Sequence, residues 1–365
     1  MKQIIPAFYP QFQCTASRCS DNCCIGWEID IDPQTLSYYH SVRSPFGERL
    51  KANISMEEEP PHFLLSHAER CPFLNEQNLC DIFQELGEEH LCEICSQHPR
   101  FHEWFGSYKE SGLGLCCEEA VRLLISDSQP LSFQTMEIEE EPDSNPFDAE
   151  LLSSLISLRA TLFRILQDRN QPLAARFQSA LTLAVQAQEL LDNNFLPDIT
   201  AEDGCKLPSE CPSLSPEEAL CHILNFLQTL EPIDPNWHGR LADLQSRLPE
   251  LIQPIEHFPS LSDRLYVYEH LSVYFLYRYL LKSVWDEDLL SRIKFSLLAP
   301  VLVLLLDRQD LLDGCFSPSR QIQNIKALSK EIEYCDENLE LLLEESWNAE
   351  SFSLSSLLSI FDSLL

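Results

Sequence analysis

The stretch AELLSSLISLRATLFRILQDR, Ala149 to Arg169, decides the fold class of this 365-residue chain. Its apolar residues recur at intervals of three and four, which places them on one broad face of a helix. They are Leu151, Leu152, Leu155, Ile156, Leu158, Leu162, Phe163, Ile165 and Leu166. Asp148 precedes them and is the predicted N-cap. The pattern predicts a helix packed against others, and we therefore expect a mainly α fold.

The same periodicity continues to the last residue. A second helix is predicted from Pro172 to Asn193, and a third begins at Ser215, where Pro216 and Glu218 complete a capping-box pattern. Further helices are predicted near Leu261–Trp285, Leu289–Leu306, Pro318–Tyr334, Glu337–Trp347 and Ser353–Leu365. We therefore expect an all-helical domain over residues 149–365.

The first third of the chain is distinguished by its cysteines. Ten of the fifteen lie there: Cys14, Cys19, Cys23, Cys24, Cys71, Cys80, Cys92, Cys95, Cys116 and Cys117. This density predicts a small cysteine-rich, metal- or cluster-binding domain over residues 1–127, with a short strand pair at most. Residues 128–148 are acidic and Pro-containing, which favours a linker or an exposed strand and loop.

Composition predicts a soluble, cytoplasmic protein. The opening residues MKQIIPAFYPQF are interrupted by Pro6 and Pro10 and do not form the apolar stretch of a signal peptide. The longest apolar run, Leu297 to Leu306, is too short to span a bilayer. Because the cytosol keeps thiols reduced, clustered cysteines there indicate metal or redox chemistry rather than disulfides.

The charge of the chain limits its partners. Lys and Arg number 25 and Asp and Glu number 58, a net charge of −33. Such a field repels phosphate backbones and anionic lipids, so we expect neither nucleic-acid nor membrane binding. It would attract a basic, lysine-bearing partner, although solubility alone also accounts for an acidic composition.

The cysteine spacing allows three kinds of site. Cys92 and Cys95 have the Cys-x2-Cys spacing of zinc sites, and Cys19 and Cys23 are also close enough to pair. Irregular spacing of many thiols equally suits an iron–sulfur cluster. Buried, reduced cysteines without metal are the third possibility. From the residues alone, zinc and iron–sulfur remain open.

Glycine gives no sign of a nucleotide-binding loop. The chain has only nine glycines, and Gly112 and Gly114 in SGLGLCC lack the third glycine of a dinucleotide fingerprint. A local turn is the expected role of this pair.

Three segments together resemble a known family. They are QFQCTASRCSDNCCIGWEIDID (residues 11–32), RCPFLNEQNLCDIFQELGEEHLCEICSQHPRF (residues 70–101) and ESGLGLCCEEAVRLLI (residues 110–125). They resemble the flagellin lysine-N-methylase family, and more distantly the zinc- or iron-chelating cysteine-cluster domains. The resemblance carried by motifs covers about residues 8 to 125.

The resemblance implies methylation of flagellin lysine side chains, with S-adenosylmethionine as donor and a 4Fe–4S cluster in the enzyme. Flagellin is then the implied partner. The metal-ligand candidates that the family motifs imply are Cys14, Cys19, Cys23, Cys24, Cys71, Cys80, Cys92, Cys95 and Cys116. Which four would hold the cluster is not fixed by the resemblance.

Polar residues of the same motifs are candidates for the chemistry. Arg100 could bind the donor carboxylate or a substrate backbone, or form an ion pair, for example with Glu110. Glu110 could orient or deprotonate a lysine ammonium, or be a paired carboxylate. His90, His98 and His102 are possible ligands or supporting side chains.

A second class of function fits the same composition. A non-enzymatic zinc- or iron-binding interaction module would use the cysteines to hold its fold and the helical domain to bind a partner. A recognisable donor pocket would separate the two hypotheses, and the sequence does not reveal one.

Overall fold

The computed structural model describes residues 1–20, 22–26, 28–57, 59–66, 69–193 and 214–365. Helices dominate these residues, which confirms the mainly α fold. The α-helices of the described chain are α1 (Pro33–Ser41), α2 (Pro45–Ala52), α3 (Asp81–Leu86), α4 (Glu93–Gln97), α5 (Glu118–Leu124), α6 (Ala149–Leu166), α7 (Leu173–Asp192), α8 (Pro216–Leu227), α9 (Trp237–Ser246), α10 (Leu248–Leu251), α11 (Pro259–Ser262), α12 (Leu265–Tyr279), α13 (Ser283–Asp286), α14 (Leu289–Leu312), α15 (Pro318–Glu333), α16 (Asp336–Asn348) and α17 (Leu354–Leu364). The strands are β1 (Lys2–Pro6), β2 (Ile54–Ser55), β3 (His62–Phe63), β4 (Arg100–Phe105), β5 (Tyr108–Leu113) and β6 (Phe133–Glu137).

Two helices begin at the predicted caps. The Asp148 carboxylate accepts hydrogen bonds from the backbone amides of Glu150 and Leu151, both at 2.9 Å. These bonds satisfy two of the amides that a helix leaves unpaired at its start. At α8 the Ser215 side chain accepts from the Glu218 amide, and the Glu218 carboxylate accepts from the Ser215 amide at 2.9 Å. Both N-cap predictions are therefore confirmed.

Helix α14 forms the centre of the helical body. It contacts α7, α12, α15 and α16, and it continues past the predicted end at Leu306 to Leu312. In the described part of the chain, α14 is the one helix that is long and apolar enough to cross a membrane. However, 94% of its most apolar 18-residue stretch is buried inside the protein. Its apolar character is that of the core helix of a soluble protein.

The first part of the chain holds more β-structure than predicted. Four strands form a sheet in the order β4-β5-β1-β6, in which β1 runs parallel to β5 and antiparallel to β6. Lys2 lies opposite Tyr108 on one side and opposite Glu137 on the other. The expectation of a short strand pair at most was wrong, because these partners lie far along the chain and leave no local pattern.

The segment 128–148, expected to be an acidic linker or an exposed strand and loop, contributes an edge strand of this sheet. β6 lies within it and pairs with β1 over its whole length. Beyond β6, the Glu140 carboxylate accepts hydrogen bonds from Lys109 Nζ and from Trp104 Nε1, both at 2.7 Å. The segment is thus attached to the sheet by its backbone and by its side chains.

Two hydrophobic cores group the chain differently from the predicted domains. The small core contains residues between 24 and 95, with Tyr39, Phe63 and Phe73 at its centre. The large core combines the helical body with the sheet and α5, through residues such as Leu113 and Val121. The sheet and α5 therefore pack as part of the helical body. The cysteine-rich region, which lies between β1 and β4 in the sequence, forms a separate unit around the small core.

Helix α12 fixes the segment that follows α5. The two ring nitrogens of His270 lie 3.0 Å from the Leu124 carbonyl and 2.9 Å from the Gln129 carbonyl. The Tyr266 hydroxyl donates to the Ile125 carbonyl at 3.1 Å. These bonds satisfy backbone groups at the end of α5 and hold that helix, with the cysteines before it, against the body.

A buried carboxyl group lies between α12, α14 and α15. Asp307 accepts hydrogen bonds from Tyr268 Oη at 2.8 Å, Gln321 Nε2 at 2.6 Å and Asn324 Nδ2 at 2.7 Å. Burial raises the pKa of Asp307 to about 6, although these donors partly oppose the effect.

The raised pKa of Asp307 predicts a pH-dependent stability. The contribution of the raised Asp307 pKa to the free energy of unfolding is fully present below the unfolded-state pKa of about 4. It is lost as pH rises through about 6. Because Asp307→Asn cannot ionise, the difference in unfolding free energy between wild type and variant should change by about 2–3 kcal/mol across this window. Denaturant unfolding at several pH values measures it. Asp313→Asn, at an exposed ion pair with Arg247, is the matched control, and an equal pH dependence in both variants would contradict the assignment.

Candidate functional site

Five thiols meet at the small core, and we call them the inner thiol group: Cys24, Cys71, Cys80, Cys92 and Cys95. Cys80 and Cys92 occupy the N-cap positions of α3 and α4, and Cys95 lies one turn further along α4. The sulfur atoms of Cys92 and Cys95 are 3.3 Å apart. The Cys71 amide donates to the Cys24 carbonyl at 2.9 Å, which joins two distant segments.

Burial and hydrogen bonds between neighbouring thiols determine the pKa shifts of the inner thiol group. Burial raises the pKa of Cys71 to about 11 and also raises the pKa of Cys80. The hydrogen bond between Cys92 and Cys95 lowers the pKa of the first and raises that of the second. Thiols that lie close together in an apolar environment repel one another once they are ionised. A bound cation would remove that repulsion.

A second set of thiols lies where the cysteine-rich unit meets α5, and we call it the outer thiol group: Cys19, Cys23, Cys116 and Cys117. Burial, together with the charges of Cys19 and Cys23, raises the pKa of Cys117 to about 12. Cys19 Sγ donates to a Glu118 carboxylate oxygen at 3.6 Å. Cys23 hydrogen-bonds its neighbour Cys24, so that this adjacent pair connects the two groups.

The two groups differ in what they offer a metal. Soft thiolates in the numbers found here suit zinc or an iron–sulfur cluster. In the described part of the chain, no three His, Cys, Asp or Glu side chains converge on a single-ion position. The inner group supplies five thiols around one small core, which is a sufficient donor set for a four-thiolate cluster. Cys14 belongs to neither thiol group and is exposed.

The outer thiol group is connected to the helical body through His98 and Tyr334. The Tyr334 hydroxyl lies 3.0 Å from His98 Nδ1 and also hydrogen-bonds the Cys116 thiol. The hydrogen bond with Cys24 and, to a smaller extent, the nearby His98 side chain lower the pKa of the Cys23 thiol. Cys23, His98, Cys116 and Tyr334, from four distant segments, thus form one connected string of side chains.

A buried ion pair lies directly behind this string. Arg278 Nη1 is 3.0 Å from Glu333 Oε1 and donates to the Tyr274 hydroxyl at 2.8 Å. The same carboxylate accepts from Tyr279 at 2.8 Å and from Ser329 at 2.6 Å. Every charged group of the cluster has a partner of opposite charge or a hydrogen bond, as burial requires.

The glycines of SGLG serve packing, and the expected turn is confirmed at Gly114 only: Gly114 begins a turn in which the Cys117 amide donates to its carbonyl at 3.3 Å. Gly112 lies in strand β5 opposite Phe101, whose ring would be 2.4 Å from a Cβ at that position. A Cβ at Gly114 would lie 3.3 Å from the Pro99 carbonyl oxygen, to which the Gly114 amide donates at 2.7 Å. The missing side chains let the HPRF and SGLG segments approach closely beneath Arg278, whose guanidinium carbon is 4.7 Å from the Phe101 ring centre.

Glu110 and Arg100 do not form the ion pair considered from the sequence. The Glu110 carboxylate is buried, accepts from Arg159 Nη1 at 2.8 Å and accepts from the Tyr108 hydroxyl at 2.6 Å. The guanidinium carbon of Arg100 lies 5.1 Å from the Phe12 ring centre, and its side chain hydrogen-bonds Tyr9. Glu110 is therefore paired with Arg159 in the core, which is a structural role, whereas Arg100 is half-buried.

The other two histidines of the motifs also have partners. His90 stacks on Tyr38, with 3.9 Å between ring centres. His102 Nδ1 is 2.7 Å from the Ser111 hydroxyl. The sequence reasoning missed Arg278, Glu333 and Tyr334 altogether. The charged residues among these could have been found as charged groups inside otherwise apolar helical stretches. A charged group in such a stretch indicates a buried ion pair or hydrogen-bond network, because these groups are buried only with partners.

Comparisons with known proteins bear on both parts of the chain. Residues 159–360 match the family model described as FliB lysine N-methylase C-terminal domain. The chain is 30% identical over 141 residues to Flagellar biosynthetic protein FliU of Salmonella muenchen, covering 36% of this chain and 83% of that protein. It is equally similar to Lysine-N-methylase of Salmonella typhimurium and of Salmonella choleraesuis, and the match covers 35% of each of those longer proteins. No solved structure matches the chain.

The environment of Glu110 predicts a stability defect on mutation. Glu110→Gln leaves Arg159 buried without a carboxylate, and we expect it to lower the free energy of unfolding by about 3–5 kcal/mol. Denaturant unfolding measures the change, with Glu48→Gln, at an exposed pair with Lys51, as the control. If Glu110→Gln instead kept the stability of the wild type but lost enzymatic activity, Glu110 would be assigned to the chemistry.

The inner thiol group predicts how metal and folding are coupled. Cys80→Ser should lower the metal bound per chain and increase hydrogen exchange within residues 24–95, whereas the helical body keeps its protection because its core is separate. Elemental analysis and exchange mass spectrometry measure both effects. Cys221→Ser, on α8, is the control, and metal content unchanged by Cys80→Ser would remove Cys80 from the ligand set.

Proposed function

Because the chain belongs to the FliB lysine N-methylase family, we propose that it is a protein-lysine N-methyltransferase that uses S-adenosylmethionine and methylates flagellin. The proposal includes a 4Fe–4S cluster held by the cysteine-rich unit. It places the enzyme in the cytoplasm, where the thiols stay reduced and unassembled flagellin would be available.

The observation that carries the proposal is the inner thiol group. Its five cysteines come from four separate segments and all pack at the small core, where Cys71 and Cys92 are buried and the other three are half-buried. Cys24, Cys71 and Cys80, with Cys92 or Cys95, would hold the cluster. When bound, the cluster would supply a redox-active iron centre.

Zinc remains the alternative metal, and it is supported less well. A tetrahedral zinc site needs four ligand atoms around one position. The described residues contain close pairs of thiols, Cys92 with Cys95 and Cys23 with Cys24, but no convergent set of three. An iron–sulfur cluster is larger, so its thiolates need not crowd around a single ion.

The reaction imposes simple requirements on the chain's own residues. A lysine side chain is a nucleophile only as the neutral amine, so one proton must leave its ammonium group as the methyl group is added. Arg100 is the candidate to bind the carboxylate of the methyl donor, because it is half-buried and its guanidinium is not held in an ion pair with Glu110. Glu110 is a weak candidate for the base, since Arg159 already occupies its carboxylate.

The charge of the chain supports a basic substrate. With a net charge of −33, long-range attraction would favour the approach of lysine-bearing segments and disfavour nucleic acid and anionic membranes. A metal-holding interaction module without enzymatic activity would share this charge but would bind no methyl donor.

We predict that the anaerobically purified protein contains about four irons per chain, with matching sulfide. With reduced protein and S-adenosylmethionine, co-incubated flagellin should gain one or more methyl groups on lysine, as detected by mass spectrometry. The rate at limiting substrate should fall as salt rises, because the Debye length shrinks from about 10 Å at 0.1 M to about 3 Å at 1 M.

Two results would overturn parts of this proposal. Stoichiometric zinc without iron or sulfide would remove the cluster. An iron-loaded protein that binds the donor but leaves flagellin unmodified would remove the substrate, and one that binds neither would favour the interaction module.

A further inference from the structure

Tyr334 is one point at which the helical body contacts the outer thiol group. It follows the last residue of α15, and its hydroxyl contacts two side chains of the cysteine-rich motifs, His98 and Cys116. Its ring also packs edge-on against the His98 ring, with 5.8 Å between centres. One side chain thus provides both packing and hydrogen bonding to the same histidine.

The residues around Tyr334 keep it in place. The preceding residue, Glu333, is held by Arg278, Tyr279 and Ser329 in the buried cluster described above. Helix α15 also packs against α5 and α14. A side chain anchored in this way is pre-organised, and it can therefore orient a partner that has fewer constraints of its own.

His98 is such a partner. Its backbone leads directly into the sheet, since the next residue, Pro99, accepts a hydrogen bond from Gly114 at 2.7 Å. Its Nε2 atom is buried, its Nδ1 atom lies 3.0 Å from the Tyr334 hydroxyl, and the ring is close enough to Cys23 to add to the effect of Cys24 in lowering the pKa of that thiol. The orientation of the ring relative to Cys23 therefore depends on the Tyr334 contact.

We infer that Tyr334 is a positioning residue: its hydroxyl orients the His98 ring against Cys23, and the helical body thereby fixes the arrangement of the outer thiol group. Tyr334 needs no contact with a substrate in this role. The consequence for methyl transfer rests on the proposed function, whereas the positioning itself does not.

The test compares two buried hydroxyl groups of one network. Tyr334→Phe removes the contact with His98 and Cys116 but keeps the ring. Tyr279→Phe removes a hydroxyl bonded to Glu333 in the same cluster and serves as the control. Histidine ring ¹⁵N resonances of the purified protein report the hydrogen bond, with the His98 signal assigned through His98→Gln.

We expect Tyr334→Phe to move the His98 ring resonance and to speed amide exchange at residues 98 and 114–117 roughly two- to tenfold, the effect of losing one hydrogen bond. Tyr279→Phe should leave that resonance in place. If the protein methylates flagellin, Tyr334→Phe should lower kcat with little change in KM for flagellin.

An unmoved His98 resonance, or an equal response to both variants, would overturn the inference and reduce Tyr334 to a packing residue. A wild-type protein without methyl transfer would overturn the proposed function alone, because the resonance and exchange measurements do not require activity.

Discussion

A guanidinium group buried among apolar side chains needs a carboxylate or several other hydrogen-bond acceptors, and Glu333 meets this need for Arg278 between α12 and α15. Removing either partner would leave an uncompensated charge in the core. The pair also sets the positions of its neighbours, because Tyr274 and Tyr279 bond to it and Tyr334 follows Glu333 directly. The ion pair therefore fixes the part of the helical body from which Tyr334 reaches the thiols.

The same principle explains how an acidic protein uses its few cations. Several of its 25 Lys and Arg residues lie inside, among them Arg159 and Arg176 on carboxylates and Arg308 on backbone carbonyls. The described residues bury carboxylates and cations in equal numbers, so these buried charges cancel. The net charge of −33 is therefore carried by the rest of the chain, which suits a partner rich in lysine.

Local patterns predicted part of the fold and part of the site. Asp148 and Ser215 were recognisable as caps because capping is a relation between residues two or three positions apart. The pairing of β1 with β5 and β6 was not, because it joins segments far apart in sequence. The cysteines could be identified as a set, but their division into two groups depends on tertiary packing. Glu110 was a plausible base until its neighbour across the core, Arg159, was known.

The central position of β1 has a consequence for the order in which the protein folds. Its parallel partner begins at Tyr108 and its antiparallel partner at Phe133. During synthesis, β1 is made before either partner strand, and the helices that cover the sheet are made later still. Until residues 108–137 have followed, β1 presents unpaired amides and carbonyls to other chains. The sheet can therefore close only after β6 has been made.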